Sequence, residues 1–322
     1  MTVSEVIKYF RRVLRLLRDL SDKTGYSLFR HVVDYIWSAI RHGTLIRQYT
    51  KGRFWRKSDM ERQKCLTYLR MVRYMNRYND KSYIQYLNEK PKFNAFFSEF
   101  VTRDWLYVPE ADEERFKSFL ELHRSFIAKP GAGVEGRGIR KLLSDDYKDI
   151  QSLYNDLKAD DVLIEECIIQ HPHMVFGNSS VNTVRTMTIL DKAGKGHVVK
   201  AILRVGIGDS VVDNYAQGGS IYEVDVQSGV VVSFGQSKEG ETHMIHPGTD
   251  IMMLGYQIPM WKLVIDISER AAEYIPQVKI IGWDVAIMQN GVQLIEGNHN
   301  PDYELYEFVG SSGYNEVFRS LL

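Results

Sequence analysis

The chain has 322 residues, of which 44% are hydrophobic and 25% charged, with 41 Lys/Arg against 41 Asp/Glu. This length suffices for a sizeable core and two or three subdomains, and the composition is that of an ordinary soluble protein. Met1–Phe10 carries Glu5 and Lys8 and has no apolar run, which excludes a secretory signal. No window reaches the length of a spanning helix. Cys65 and Cys167 are the only cysteines and lie far apart, which argues against a disulfide scaffold or a zinc site and favours the cytosol.

Charge is unevenly placed. Residues 1–75 hold 17 Lys/Arg and 6 Asp/Glu, a net of +11, so the remainder carries −11. The basic end could meet a polyanion or an anionic membrane surface, or dock on the acidic remainder. Within it, Glu5–Leu20 has helical periodicity. Val6, Phe10, Val13, Leu17 and Leu20 form one stripe, opposite Lys8, Arg11, Arg12, Arg15 and Arg18. Such a helix can lie on anionic lipid. More commonly it packs its stripe on its own domain and solvates its charges, and that is the preferred reading.

Residues 1–85 read as a basic helical region, punctuated by Gly43 and Gly52, and residues 86–322 as the second domain. Arg124–Pro130 is a short apolar strand ending in a lysine, and a glycine-rich run follows at 131–138. Ser144–Leu157 opens on Ser-Asp-Asp, a good helix start. Val162–Glu166 is a strand. Thr183–Leu190 and His197–Val205 are strands flanking a turn at Asp191–Gly196. Ser220–Val226 and Val230–Phe234 form a hairpin, Met260–Tyr274 is a helix, and a short helix closes the chain. Strands mostly in hairpins with interspersed helices indicate α+β or α/β layers.

The run Lys129-Pro130-Gly131-Ala132-Gly133-Val134-Glu135-Gly136-Arg137-Gly138 follows a strand. Glycines let backbone N–H groups approach phosphate oxygens, and the lysine adds a point charge. Gly131-x-Gly133-x-x-Gly136 matches the dinucleotide fingerprint literally. That motif, however, should run straight into a helix, with an acidic residue closing the next strand. A Walker loop would need Gly-Lys-Ser/Thr, and a protein kinase His-Arg-Asp and Asp-Phe-Gly; neither set is present. What remains is a loop whose lysine precedes its glycines, or a plain surface turn.

Near the C-terminus, 282–287 and 292–298 read as two strands joined by a turn at Asn290-Gly291. The hairpin sets Asp284 across from Glu296 and Asn298. Two carboxylates and an amide oxygen among apolar residues call for a counter-charge, and oxygen-only ligands suit Mg2+ completed by phosphate oxygens and water. The same residues would also suit an acidic hairpin end facing solvent.

In order along the chain, the lysine, glycine loop, Glu-rich strand, basic strand and terminal Asp…Glu-x-Asn resemble the ATP-grasp superfamily. The resemblance is greatest to its sugar-transfer associated group, linked to exopolysaccharide and capsule biosynthesis. It covers about residues 85–310 and implies an α+β fold of two subdomains gripping ATP, preceded by the helical region. It also implies that Lys129 contacts the α- and β-phosphates, with Gly131, Gly133, Gly136 and Gly138 as the loop over them. Glu89-Lys90-x-x-Phe93 resembles an Asp-Lys-x-x-Phe element in which Lys90 reaches phosphate, with Lys92 a nearby competitor. Val162–Ile168 resembles the hinge strand, where Glu165, Glu166, Cys167 and Ile168 border the adenine. His171 and His173 fall where many relatives place a ribose-binding acid, and read as loop or acceptor-side residues.

Asn182-Thr183-Val184-Arg185 resembles a family signature. Arg204, with Asp213-Asn214-Tyr215-x-x-Gly218-Gly219, resembles the arginine and Asn…Gly-Gly element of ribosomal-protein glutamate ligases, which makes Asn214 a nucleotide-binding candidate. Arg185 and Arg204 would stabilise transferring phosphate, or merely pair with Asp213 or Asp225. The metal set is Asp284, Glu296 and Asn298.

The resemblance implies a Mg-ATP-dependent carboxylate–amine or carboxylate–thiol ligase working through an acyl phosphate. Its substrates would be a small-molecule or glycan carboxylate and an amine donor. The expected setting is cytoplasmic surface-polysaccharide assembly, with residues 1–75 at the inner face of the plasma membrane or on a lipid-linked glycan. No nucleic-acid partner is expected. Two alternatives stay open: a kinase acting on a sugar hydroxyl, with Asp302 or His299 as base, and a non-catalytic docking scaffold.

Overall fold

The computed structural model describes residues 3–132, 138–208, 219–237, 241–308 and 313–322. The chain divides into two compact units, one of residues 1–77 and 302–322 and the other of residues 78–301. The sequence reading divides it instead at 85/86 and leaves the C-terminal residues with the second domain. Glu307 shows why the C-terminal segment belongs with the first unit. Its buried carboxylate accepts from the backbone N–H of Leu66 at 2.9 Å and of Gly313 at 2.9 Å.

The first unit contains α1 (Val3–Thr24), α2 (Leu28–His42), α3 (Ile46–Lys51), α4 (Asp59–Lys64) and α5 (Tyr68–Tyr78). Its core gathers Val13, Leu17 and Leu20 of α1 with Tyr35, Tyr49 and Phe54. Among the described side chains, Val13, Leu17 and Leu20 of the expected α1 stripe are buried, but Phe10 is 60% exposed. It lies on a second apolar stripe with Ile7 and Leu14, at i, i+3 and i+7, turned away from the core. Ser27 caps α2 by accepting from Arg30 N, and Gly43 closes it at φ +70°, a conformation that favours glycine.

The second unit begins with α6 (Gln85–Asn88) and α7 (Lys90–Phe96). Next come β1 (Trp105–Tyr107), α8 (Glu113–Leu122), β2 (Ser125–Pro130), β3 (Arg140–Leu143), α9 (Ile150–Ala159) and β4 (Val162–Glu166). The four strands form one antiparallel sheet in the order β1-β4-β2-β3. Ser144–Asp146 is a single tight turn, not the helix start expected. Asp149 is the cap instead, its side chain accepting from Ser152 N at 3.1 Å.

A second antiparallel sheet follows, built from β5 (Thr183–Leu190), β6 (Gly196–Val205), β7 (Ser220–Val224), β8 (Gly235–Gln236) and β9 (Thr242–His243). After α10 (Trp261–Tyr274) come β10 (Ile280–Met288) and β11 (Gly291–Asn298), which place the sheet in the order β11-β10-β5-β6-β7-β8-β9. The hairpin expected at 220–234 is reduced to a bridge between Val224 and Val231, because Val230 pairs with Gln257 and β7 takes β8 as its neighbour. α11 (Tyr303–Phe308) and α12 (Tyr314–Leu321) complete the first unit.

The strand period of two sorts the large sheet into two faces. Val184, Leu203, Val285 and Tyr222 point into the core against α10, where Thr186 donates to Ser268 at 2.9 Å and Trp283 Nε1 to Thr188 at 2.9 Å. Arg185, Asp284, Glu296 and Arg204 point the other way.

Tyr222 also meets His246 Nδ1 at 3.0 Å and His243 Nε2 at 3.0 Å. Burial, and next the neighbouring His243, depress the pKa of His246 to about 4. The folded state therefore favours the neutral ring. The stability this confers is complete above the unfolded value near 6.5 and is lost as pH falls through 4. Urea denaturation should show wild-type stability falling across that window more steeply than in His246→Phe.

Candidate active site

Register brings the acidic hairpin and the basic strand together. Asp284 of β10 lies directly opposite Glu296 of β11 on one side and Arg185 of β5 on the other. Directly opposed residues share a face, so Glu296, Asp284 and Arg185 form a row. Arg204 of β6 lies on the same face, two positions from Ile202, which opposes Arg185. Arg185 donates to Asp284 bidentately, Nε to Oδ1 at 2.6 Å and Nη2 to Oδ2 at 2.6 Å, and Arg204 Nη1 adds 2.7 Å to Oδ2. Arg185 Nη2 also reaches Glu296 Oε1 at 3.5 Å. The alternative, pairing of either arginine with Asp225, is not seen among the described residues, where Asp225 accepts from Ser228 in its own turn; Asp213 lies outside them.

Burial opposes ionisation of Asp284, but Arg185 and Arg204 outweigh it and hold the carboxyl far below the usual range. Glu296 moves the other way. Partial removal from water, then the charge of Asp284 beside it, raises its pKa. Asn298, opposite Gly282, accepts from Asn300 N at 2.9 Å. The three side chains offer oxygen ligands alone, the chemistry of a hard dication. Oδ1 of Asp284 accepts one arginine N–H and keeps a lone pair for a ligand, while Oδ2 already accepts two. A dication here would also relieve the like-charge cost that raises Glu296, so the residues present fit the ion.

A second cluster is built around Glu165 of β4, which is 3% exposed. Its carboxylate accepts from Arg103 Nη2 at 2.9 Å, from Asn94 Nδ2 at 2.9 Å, and pairs with Lys129 Nζ at 2.5 Å. Burial again opposes ionisation, and Arg103 and Lys129 outweigh it, so Glu165 stays ionised far below its ordinary pKa. Arg103 donates onward to Leu294 O at 2.7 Å and Ile295 O at 3.2 Å, tying the small sheet to β11. Nothing in the sequence singled out Arg103 or Asn94; neither lies in a motif, and only the fold reveals their role.

Lys90 opens α7 and stands near both clusters. Burial lowers its pKa, Glu296 and Glu165 raise it, and Lys129 lowers it further. Its N–H donates to Gly131 O at 3.0 Å. Lys92 is held elsewhere, by Glu89 at 2.9 Å and Gln85 at 2.8 Å. Gly131 needs its missing side chain, since a Cβ there would lie 2.9 Å from Asp161 Oδ2 and 3.1 Å from its carbonyl oxygen. Its N–H is engaged by Asp161 O at 2.7 Å. Gly138 has φ +77°. Gly133, Gly136 and Asn214 lie outside the described residues.

After β4 the chain crosses from the small sheet to the large one. Glu166 N donates to Asp104 O at 2.9 Å, and its carboxylate accepts from Asp104 N at 3.1 Å. Cys167 Sγ meets Ser125 Oγ at 3.5 Å, and Ile168 is half-buried. Gln170 then bridges to Met288, and His171 N donates to Ile287 O at 2.9 Å. His299 has an Nδ1 that is buried without a hydrogen-bond partner among the described residues, and burial lowers its pKa. Asp302 belongs to the other unit. Lys200 and Glu223, a buried pair on the same face as Arg204, also escaped the sequence reading.

The molecule is thus an α+β protein with two antiparallel sheets, each carrying a charged cluster. The chain belongs to the sugar-transfer associated ATP-grasp family, whose model matches residues 69–321. No curated protein matches the sequence. Among solved structures it is similar to the ATP-grasp ligase PsnB complexed with minimal precursor, Mg and ADP, at 17% identity and TM-score 0.47, over 78% of this chain and 64% of that one. It is similar also to N5-carboxyaminoimidazole ribonucleotide synthetase, purK, in an ADP complex, at 11% identity and TM-score 0.48, over 74% and 52%. The D-alanine-D-alanine ligase from Coxiella burnetii follows at 12% and TM-score 0.38, over 73% and 53%. The chain spans less than two thirds of the length of each.

Arg103→Leu strands the Glu165 carboxylate with fewer partners in a buried setting. Removal of one member of such a pair costs about 3 kcal/mol. Urea denaturation at pH 7 should show a loss of that order.

Proposed function

We propose that this protein is a Mg-ATP-dependent carboxylate–amine ligase of surface-polysaccharide assembly. The observation that carries the reading is the row Glu296–Asp284–Arg185 with Arg204, beside the Lys129–Glu165 pair and Lys90. Anion-handling cations and oxygen ligands for a dication lie in one unit, as phosphoryl transfer requires.

Lys90, Lys129 and the glycine loop would bind the phosphates of ATP, with the hinge strand along the adenine. Asp284, Glu296 and Asn298 would hold Mg2+, which supplies charge neutralisation and a fixed phosphate geometry. Arg185 and Arg204 would orient the acceptor carboxylate and stabilise charge on the transferring group. The carboxylate oxygen attacks the γ-phosphorus and ADP leaves. The amine nitrogen then attacks the acyl carbon, inorganic phosphate leaves, and the amine proton passes to solvent. The family's association with sugar transfer favours a uronic acid or amino sugar as one partner and an amino acid or amine as the other. Residues 1–75 are assigned a peripheral contact with an anionic surface on the cytoplasmic side. One observation favours a second reading, phosphorylation of a sugar hydroxyl: the buried Nδ1 of His299, without a partner among the described residues and suited to a base.

Mg-ATP should raise the melting temperature of the wild type. A ligand at 100 times its Kd stabilises by about 2.7 kcal/mol, and Glu296→Gln should lose most of that gain. Incubation with Mg-ATP, uronic acids and amino acids should yield an amide and ADP. A phosphorylated sugar would decide for the kinase, and no product across the panel would count against the ligase.

A further inference from the structure

The first unit carries an apolar surface that its own core does not use. On α2, His31, Tyr35, Ser38 and His42 are buried, at i, i+4, i+7 and i+11. Phe29, Val33, Ile36, Trp37 and Ile40 repeat at the same spacing on the opposite side and are exposed, Phe29 by 78% and Ile40 by 81%. α2 thus buries a largely polar face and turns its apolar one outward. A stripe of five large side chains turned outward exceeds the scattered exposure normal for a protein surface. α1 meets the buried side of α2, through Tyr9 and Tyr35 hydroxyls 3.2 Å apart, and separately exposes Phe10 and Leu14.

The charge of the unit that carries this surface selects its occupant. Lys8, Arg11, Arg12, Arg15 and Arg18 are all exposed on α1, and Arg30 and Arg41 flank the α2 stripe. Arg30 stacks on Tyr26 at 3.8 Å and Arg41 lies over Trp37 at 5.7 Å. Asp34, the acid of α2, is already paired with Arg62 at 2.8 Å and with the Tyr49 hydroxyl at 2.7 Å. Beside the stripe, Phe29, Val33, Trp37, Tyr49 and Trp55 wall a cavity of about 510 Å³, with Arg30 also in its lining. Trp55 Nε1 is buried with no hydrogen-bond partner among the described residues. An apolar stripe with an indole, fringed by arginines, matches the layered chemistry of a lipid interface, and the net +11 of residues 1–75 selects an anionic one.

We propose that the α2 face seats this protein on an anionic phospholipid bilayer. Phe29, Val33, Ile36, Trp37 and Ile40 enter the headgroup–acyl boundary, and the arginines of α1 and α2 meet lipid phosphates. The stripe, not the α1 face suggested by the sequence, is the apolar anchor. Among the described residues no helix is long and apolar enough to cross a membrane, so the contact is one of lying on the surface. The inference rests on the peripheral-contact reading above and is independent of the ligase chemistry.

The test is co-sedimentation of the full chain with phosphatidylglycerol and with phosphatidylcholine vesicles, without nucleotide. Binding is expected to phosphatidylglycerol only, weakened in 0.5 M salt and reduced at least tenfold in Ile36→Ser/Ile40→Ser. Both positions are exposed, so this variant should keep the wild-type melting temperature and Mg-ATP shift; equal loss of those would trace to folding or to the nucleotide reading instead. As a second variant, Arg11→Gln/Arg15→Gln should weaken binding and reduce its salt dependence. Absence of binding, equal binding to both vesicles, or retention by the serine variant would overturn the proposal. So would a wild-type dimer, seen by sedimentation and abolished by the serine pair, since the face would then be covered by a second copy.

Discussion

Asp284 is the residue on which the arrangement of the second unit turns. A carboxylate sealed inside a β-sheet is costly unless its charge is met, and here three guanidinium N–H groups meet it from two neighbouring strands. That pairing ties β10 to β5 and β6 by more than their ladders. It also bears on Glu296 across the hairpin, whose pKa is raised first by removal from water and next by the charge that Asp284 keeps. A face left polar in this way cannot pack a core, so the apolar residues of the same strands turn to α10.

Glu165 solves the same problem in the small sheet with a different set of donors, Arg103, Asn94 and Lys129. Arg103 is the junction, because its Nη1 and Nη2 groups also bind carbonyls and an amide oxygen of β11. The cationic and acidic clusters therefore share a rigid connection. Lys90 senses both, through Glu165 and Glu296. In the proposed reaction, phosphate oxygens and a dication would enter a network in which Arg103, Arg185, Arg204, Lys90 and Lys129 outnumber Asp284, Glu165 and Glu296. Lys129 would then exchange part of its pairing with Glu165 for ligand phosphate.

The first unit follows another logic. Its basic residues are mostly solvated and its core is small. The conspicuous feature is apolar surface turned outward on α2, opposite a buried face of the same period. Helical periodicity alone marks one apolar stripe on α2, which in an ordinary surface helix would be the buried one. Which of its faces is covered depends on what packs against it.

Much of this was legible in the chain. The strands around 125–130, 162–166, 183–205 and 280–298, the helix near 261–274 and the class of fold followed from period-two runs and turn residues, which are local properties. The facing of Asp284 and Glu296 was read correctly from the hairpin, but the turn lies one residue earlier than expected, at Gln289-Asn290 with Gly291 paired to Met288, and a register shift between Asp284 and Val285 completes the pairing. The ordered motifs pointed to the ATP-grasp family, and the family match bears that out. Tertiary structure alone decided which cations meet which acids. Arg185 reaches Asp284 across 99 positions and Arg103 reaches Glu165 across 62. Such pairings depend on strand order in the sheets, and no local pattern encodes that order. The return of Glu307 to Leu66 and the outward turn of the α2 stripe were hidden for the same reason. Burial belongs to the neighbours a residue acquires, and the sequence names the residue without naming them.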